Sequence, residues 1–324
     1  CRRGGGRGLM RILFIVDPLA SLKATKDSSV AMMRAAQARG HEVWATTVDA
    51  LAWMTDAGVQ ADARRLQLAD DDQPWFAEVA RATVRLADVD AVLMRKDPPF
   101  DIEYVTATWL LEQAEREGAR VFNRPAALRD HSEKIALAEF ARFVPKTLVT
   151  RDARQLAAFI DAGRDTILKP IDGMGGSSVF RVRADDPNRN VIIETLTGDG
   201  ARTVMAQAYL PAIAEGDKRI LIIGGEVVPY ALARIARAGE TRANLAAGGT
   251  GVARPLTPRD REIAETLAPV LAARGLLLVG LDVIGEHLTE INVTSPTCMV
   301  EIKAQTGFDV AAMFVTALER ACAS

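Results

Sequence analysis

The sequence predicts a chain of mixed class: an α/β domain on a parallel sheet, followed by an α+β region built from antiparallel hairpins. Three observations carry that expectation. Apolar runs of strand length alternate with helically spaced segments in the first part of the chain. Two long runs of β-branched and aliphatic residues later on each fold back at a glycine-containing turn. The texture also changes after Pro145, where a helix gives way to short strands around a glycine-rich loop.

Composition bounds the function. With 324 residues, 49% hydrophobic and 25% charged, the chain can fill two or three ordinary domains. A net charge of −2 gives no basic footprint for nucleic acid. Cys1, Cys298 and Cys322 are odd in number and far apart, so they suggest neither a disulfide framework nor a metal-binding CxxC pair and fit a reducing cytoplasm. The segment CRRGGGRGL is basic but lacks the apolar stretch of a signal peptide, and no apolar run approaches a membrane span. Residues 1–9 therefore read as a disordered extension, and neither membrane nor nucleic acid is expected as a partner.

RILFIVD, residues 11–17, is a short apolar run ending at Asp17-Pro18 and reads as a buried strand. Residues 28–39 have helical spacing closed by Gly40, and EVWATTV supplies a second strand. Strand, helix, strand implies a parallel sheet with ligands at the carboxyl ends of its strands, where Asp17, Lys23 and Lys26 fall. Residues 51–72 are less readable; ARRLQLAD suits a strand, and Asp70-Asp71-Asp72 a solvated loop. AVLMR, 91–95, is another buried strand, stopped by Pro98-Pro99. It delivers Arg95 and Asp97, opposite charges able to clamp a zwitterionic substrate, with a rigid Pro-Pro turn as the plainer alternative. A helix over 103–118, a strand at 120–122 and Pro125 complete this domain, and a helix around 132–143 leads to Pro145.

Beyond Pro145 come the strand LVT, a helix over 152–163, and the strands TILKP and VFRV flanking DGMGGSS, residues 172–178. Glycine carries no Cβ, so Gly173, Gly175 and Gly176, with Ser177, can bring backbone N–H groups close to phosphate. The loop opens a strand rather than a helix and has no GxxxxGK[ST], which disfavours P-loop and Rossmann readings. Lys169 just before it can supply a point charge to phosphates, although most lone lysines simply face water. TVMAQAYL is a strand broken by Pro211. The run KRILIIGGEVVPYALARI, 218–235, is a hairpin turning at Gly224-Gly225 that delivers Arg219 and Arg234, charges set in apolar runs where an unpaired one is costly. Residues 239–251, GETRANLAAGGTG, form a long loop suited to closing over a site. A helix over 258–274 and an amphipathic helix over 308–321 flank the last hairpin.

That hairpin, within LLVGLDVIGEHLTEINVTSP (277–296), carries the chemistry. A turn centred on Glu286 sets Asp282 opposite Glu290 with Asn292 on the same face, while Leu281, Val283, Ile291 and Val293 point into a core. Two carboxylates and an amide oxygen suit Mg²⁺, a hard cation that shares its shell with water and phosphates. A solvated acidic hairpin is the alternative. The three histidines form no HExxH, and no GxSxG occurs, so zinc and serine hydrolysis have no support. Cys298 has no histidine near it in sequence and reads as structural.

With these residues laid out, the chain resembles the ATP-grasp ligases, specifically the bacterial glutathione synthetases, from Met10 nearly to its end. The resemblance rests on MRKDPPFD (94–101), ILKPIDGMGGSSVFRV (167–182), YLPAIAEGDKRIL (209–221), ETRANLAAGGTG (240–251) and GLDVIGEHLTEINVTSPT (280–297). It departs from the family pattern at Thr250 and Val300, where arginine is frequent. The resemblance implies an ATP-grasp fold behind an N-terminal α/β domain, with domains at 10–130, 131–210 and 211–324. It implies ligation of γ-glutamylcysteine to glycine by ATP through an acyl phosphate, with Mg²⁺, or Mn²⁺ in its place, and a cytoplasmic homo-oligomer. By position, Lys134 and Lys169 match the phosphate-contacting lysines. Gly173, Gly175, Gly176, Ser177 and Asp217 join them, and Gln207, Ala208, Tyr209 and Leu210 make the adenine-side linker. Asp282, Glu290 and Asn292 match the metal ligands. Arg219, Arg234 and Lys169 are assigned to offset charge in catalysis, and Arg95, Asp97 and Asn244 to the substrate. Alanine at Asp282 or Glu290 is expected to end ligation and leave the fold intact. A ligase for another acceptor, such as a D-alanine or glutamate-adding enzyme, and a non-catalytic nucleotide sensor are the competing readings.

Overall fold

The computed structural model describes residues 8–163, 165–173, 175–236 and 249–323. Its strands form three sheets. The first holds β1 (Arg11–Ile15), β2 (Glu42–Thr46), β3 (Leu51–Met54), β4 (Gly58–Leu68), β5 (Phe76–Arg85), β6 (Ala91–Met94) and β7 (Val121–Phe122), in the order β3-β4-β2-β1-β6-β7 with β5 outside β4. β1 pairs in parallel with β2 and β6, as the alternation of strand and helix predicts. The crossover helix α1 (Ser28–Ala38) is capped by Asp27, whose carboxylate accepts from Ser29 and Val30 N–H, and α2 (Ile102–Arg116) is capped in the same way by Asp101; the short α3 (Pro125–Asp130) follows, with proline in its first turn.

The span 51–85, largely unread in the sequence, is an antiparallel extension of this sheet. Its signal is hidden for a physical reason. In β4 the buried Val59, Ala61 and Ala63 alternate, then a bulge between Arg65 and Leu66 shifts the phase so that Leu66 and Leu68 turn inward. β5, on the edge, is exposed over almost its whole length and has no apolar period to read.

The second sheet, entirely antiparallel, has the order β10-β9-β11-β8: β8 (Thr147–Thr150), β9 (Asp165–Pro170), β10 (Phe180–Arg183) and β11 (Val204–Ala208). Helices α4 (Ala153–Gly163) and α5 (Arg189–Thr197) cover one face, and Leu156, Ile160, Leu168, Val182, Ile193 and Val204 make a core of its own. The sequence reading misses α5, a short helix ended by the left-handed Gly198.

The third sheet is also antiparallel, with the order β14-β13-β12-β15-β16: β12 (Asp217–Ile223), β13 (Glu226–Ile235), β14 (Thr250–Pro255), β15 (Leu278–Ile284) and β16 (His287–Asn292). One face, carrying Ile220, Ile222, Val279, Leu281, Val283 and Ile291, packs under α6 (Pro258–Ala273), which starts at a Thr257/Asp260 capping box. The other face is divided. Leu221, Leu232 and Leu278 are covered by α7 (Met299–Thr306) and α8 (Val310–Ala323), and the remainder carries charge. The sequence reading gives neither α7 nor β14. Residues 135–143 form tight 3₁₀ turns interrupted at Phe140 instead of the expected regular helix. The first and third sheets share their core clusters, and α8 is tied to the first domain where Arg39 and His41 reach Glu319 at 2.9 and 3.0 Å.

Candidate active site

A cavity of about 320 Å³ lies between the second and third sheets. Every residue expected on the nucleotide side lines it: Lys134; Lys169 of β9; Gly173, Gly175, Gly176 and Ser177 of the loop; Gln207, Ala208, Tyr209 and Leu210 at the exit of β11; and Asp217 of β12. Gly175 and Gly176 have φ of 64° and 78°, left-handed values that a side chain would resist. Lys134 fastens this loop to the third sheet, because its Nζ donates to Gly173 O at 2.8 Å and pairs with Glu290 Oε1 at 2.9 Å.

The charged part of the third sheet follows from strand register. Arg219 opposes Asp282 across β12 and β15, Asp282 opposes Glu290 across β15 and β16, and Gly280 opposes Asn292. The predicted pairing is present, but it is reached by a bulge: the turn at Gly285-Glu286 sets Ile284 opposite His287 and Val283 opposite Leu288, and the register shift after Asp282 then brings Glu290 opposite it. Arg219 donates from Nε to Asp282 Oδ1 at 2.5 Å and from Nη2 to Oδ2 at 3.1 Å. Arg234 Nη2 lies 2.8 Å from Asp282 Oδ2 and 2.5 Å from Asp217 Oδ2. Burial by itself would raise the Asp282 carboxyl, but the two guanidiniums outweigh it and hold the group well below the usual carboxylate range. Asp217 moves the other way: burial pushes it up to about 6 against the pull of Arg234, and its Oδ1 has no hydrogen-bond partner among the described residues. Lys169, 9% exposed, donates to Thr289 O at 3.2 Å, and burial draws its ammonium below the ordinary lysine value although Glu290 opposes this.

Gly280 makes the Arg219 contact feasible. A Cβ there would stand 2.9 Å from Arg219 Cδ and 3.1 Å from Pro296 Cβ, so the arginine stem crosses the strand where no side chain projects.

The donor set fits a divalent cation. Asp282 and Glu290 both line the cavity, and Asn292 on the same face gives its Nδ2 to Gly280 O at 3.3 Å, which leaves the amide oxygen as acceptor. Among the described residues no three His, Cys, Asp or Glu side chains are grouped to hold a metal by themselves. Two opposed carboxylates and an amide are a hard-oxygen set that water and phosphate oxygens can complete.

Some expectations change. Arg219 and Arg234 do not project free into the cavity; both are buried and neutralised by Asp282 and Asp217. Arg95 and Asp97 lie outside the cavity, against the loop that follows Asn292: Arg95 Nη2 donates to Pro296 O at 2.9 Å, and Asp97 bonds to Ser295. Burial lowers Arg95 and raises Asp97. Asn244 and most of the 239–251 stretch fall outside the described residues. Cys298 is buried, which pushes its thiol up, in keeping with a structural role.

Sequence reasoning misses three side chains here. Glu133 Oε1 accepts from Val293 N–H, Thr294 N–H and Thr294 Oγ1 at 2.9, 3.1 and 2.9 Å. Tyr104 is 3% exposed, feels the charges of Glu133, Arg95 and Asp97, and has an Oη without a partner among the described residues. Arg181 lines the cavity beside Tyr209. Adjacency to Lys134 is the one sequence signal for Glu133, and a place in the strand VFRV after the glycine loop the one for Arg181; nothing marks Tyr104.

Comparison with known proteins gives the family and the fold. Residues 10–129 match the model of the prokaryotic glutathione synthetase N-terminal domain, and residues 133–307 match its ATP-grasp domain. The chain is 60% identical over 312 residues to a glutathione synthetase of Ralstonia nicotianae, covering 96% of each chain. It is 50% identical over 311 residues to one of Shewanella oneidensis, covering 96% of this chain and 98% of the relative. Among solved structures, the D-cycloserine synthetase DcsG superposes with a TM-score of 0.67 at 17% identity over 96% of this chain and 99% of that one. The ATP-grasp ligase PsnB, complexed with Mg and ADP, superposes with a TM-score of 0.62 at 18% identity over 98% and 100%. Likeness at that level establishes a shared fold.

Proposed function

Because the chain belongs to the prokaryotic glutathione synthetase family, we infer that it is an ATP-dependent ligase joining γ-glutamylcysteine to glycine, with ADP and phosphate as co-products. One observation extends this reading to individual residues: a single cavity has lysines and a glycine loop on one wall and two opposed carboxylates on the other.

The reaction is phosphoryl transfer followed by acyl transfer. An oxygen of the cysteinyl carboxylate bonds to the γ-phosphorus as the bond to ADP breaks, giving an acyl phosphate. Glycine nitrogen then bonds to the acyl carbon, phosphate departs, and the amine gives up a proton. No enzyme nucleophile takes part, so the protein contributes position and charge. Lys134 and Lys169 hold the phosphates, aided by backbone N–H groups of Gly175, Gly176 and Ser177. The segment Gln207, Ala208, Tyr209 and Leu210 receives the base. Arg219 and Arg234 keep Asp282 ionised and offset charge at the reacting phosphoryl group from within the sheet, through that carboxylate. Arg95 and Asp97 hold the dipeptide from the first domain. Asp282, Glu290 and Asn292 would hold Mg²⁺, which neutralises phosphate charge when bound; Mn²⁺, another hard ion, can take its place. Enclosure between the two sheets keeps water from the acyl phosphate.

A cytoplasmic homo-oligomer is also proposed, and sedimentation velocity tests the subunit count. Among the described residues no helix is long and apolar enough to cross a membrane. The deciding assay measures phosphate release from ATP with γ-glutamylcysteine and glycine, each omitted in turn. Release that needs all three is expected. Release with an unrelated amino acceptor in place of glycine points to a different ligase, and ATP binding without release to a sensor.

A further inference from the structure

Arg181 has no part in the ligation chemistry described above, yet it is built into the cavity wall. Its guanidinium carbon sits 3.6 Å from the centroid of the Tyr209 ring. Its Nε and Nη2 donate to Asp165 Oδ1 and Oδ2 at 3.1 and 2.6 Å. The Tyr209 N–H in turn donates to Asp165 O at 3.1 Å. The planar cation is thus fixed along one edge by a carboxylate and along one face by an aromatic ring, and it lines the cavity.

β9 serves as a ruler along that cavity. From Lys169 to Ile167, the register partner of Arg181, is two residues of extended chain, about 7 Å at roughly 3.3 Å per residue. The walls change over that distance. Lys134, Lys169 and the glycine loop mark the phosphate end, while Pro145, Ile167, Val179 and Ile213 line the remainder with apolar surface. A flat heteroaromatic ring belongs at the apolar end, which is where the guanidinium stands.

We propose that Arg181 is a base-recognition residue whose guanidinium plane, held by Asp165 and backed by Tyr209, stacks on the purine of the bound nucleotide. The proposal rests on the reading of this cavity as an ATP site. Guanidinium suits the role because it is planar and its faces are weakly hydrated; a lysine ammonium offers charge without a stacking plane. The Arg181 and Asp165 side chains are 30% and 31% exposed, so their ion pair adds little to stability. Loss of Arg181 is therefore read in binding, not in melting.

The test uses the full chain with Arg181→Lys, Arg181→Met and Asp165→Asn, and three readouts: calorimetric binding of ATP, KM for each substrate, and Tm. Both Arg181 variants should weaken ATP binding and raise its KM roughly tenfold, about 1.4 kcal/mol for one lost stacking partner. The KM values for γ-glutamylcysteine and glycine and the Tm should hold, and the advantage of ATP over UTP as phosphoryl donor should shrink. Asp165→Asn, which loosens the plane without removing it, should give a smaller rise. Unaltered ATP affinity in Arg181→Met overturns the proposal. So does a joint rise in all three KM values with a lowered Tm, which would make Arg181 a strand staple. Arg181-dependent ATP binding by a chain that does not ligate would keep this proposal and overturn the ligase reading.

Discussion

Glu133 brackets Asn292: its main-chain carbonyl accepts the Ile291 N–H at 2.9 Å, and its carboxylate accepts the Val293 N–H, also at 2.9 Å. The end of β16, where Asn292 faces the cavity side of the sheet, is thereby pinned on both flanks from a separate segment. Lys134, next in sequence, pins Glu290.

Glu133→Ala is expected to cost about 2 kcal/mol by leaving buried N–H groups unpaired, and to raise the Mg²⁺ concentration needed for half-maximal turnover. Glu133→Gln keeps an acceptor oxygen and should recover most of both. Amide hydrogen exchange at Val293 and Thr294, faster in the alanine variant alone, reads the pinning directly. Equal exchange in both variants would remove Glu133 from this role.

Asp282 and Glu290, equivalent in the sequence reading, separate in the structure. Asp282 is buried against two arginines, whereas Glu290 keeps 22% of its side chain exposed, pairs with Lys134 and acts on Lys169 through its charge. Alanine at either should end ligation. Asp282→Ala should also lower stability by about 3–5 kcal/mol, since it strands buried guanidinium charge; Glu290→Ala, after which Lys134 keeps its bond to Gly173 O, should cost less, about 1–2 kcal/mol. Urea melts of the two variants measure the difference, and matching midpoints would contradict the burial argument.

Gly280→Ala places a methyl where the Arg219 stem crosses β15. A shifted Arg219 loosens its bidentate hold on Asp282, so kcat should fall more than tenfold while the far-UV dichroism stays that of the wild type. Full activity in this variant would show that Arg219 can move without consequence.

His131 gives the fold an acid limit. The side chain is 4% exposed, and burial, with the Arg274 guanidinium adding to it, pulls the imidazole down to about 4. An unfolded histidine titrates near 6.5, so below that pH the unfolded chain binds a proton that the folded chain refuses. The contribution of the neutral ring is complete above pH ~6.5 and is lost as pH falls toward 4, roughly 3 kcal/mol in all. Tm measured at intervals over that range should decline less steeply in His131→Asn.

Much of this was legible in the sequence because strand periodicity carries it. The turn near Glu286 brings Asp282 and Glu290 to neighbouring strands, with a bulge after Asp282 completing their pairing, and β1, α1 and β2 announce a parallel sheet. What stayed hidden depends on distant partners. Arg219 and Arg234 read as cations in need of a phosphate or carboxylate, but which one stays hidden, since the carboxylates that neutralise them come from other strands or, for Arg234 and Asp217, from the far end of the hairpin. Glu133 acts through main-chain groups far along the chain, which leave no trace in residue type. In β4 a bulge broke the alternation that would have revealed it.

The second sheet owns its apolar centre, whereas the first and third are welded through theirs. Heat or denaturant can therefore melt the smaller module ahead of the larger platform, and calorimetry should resolve two transitions in place of one. Nucleotide, gripping both parts at once, should draw the earlier transition up toward the later, so that cooperativity becomes a property of the loaded molecule.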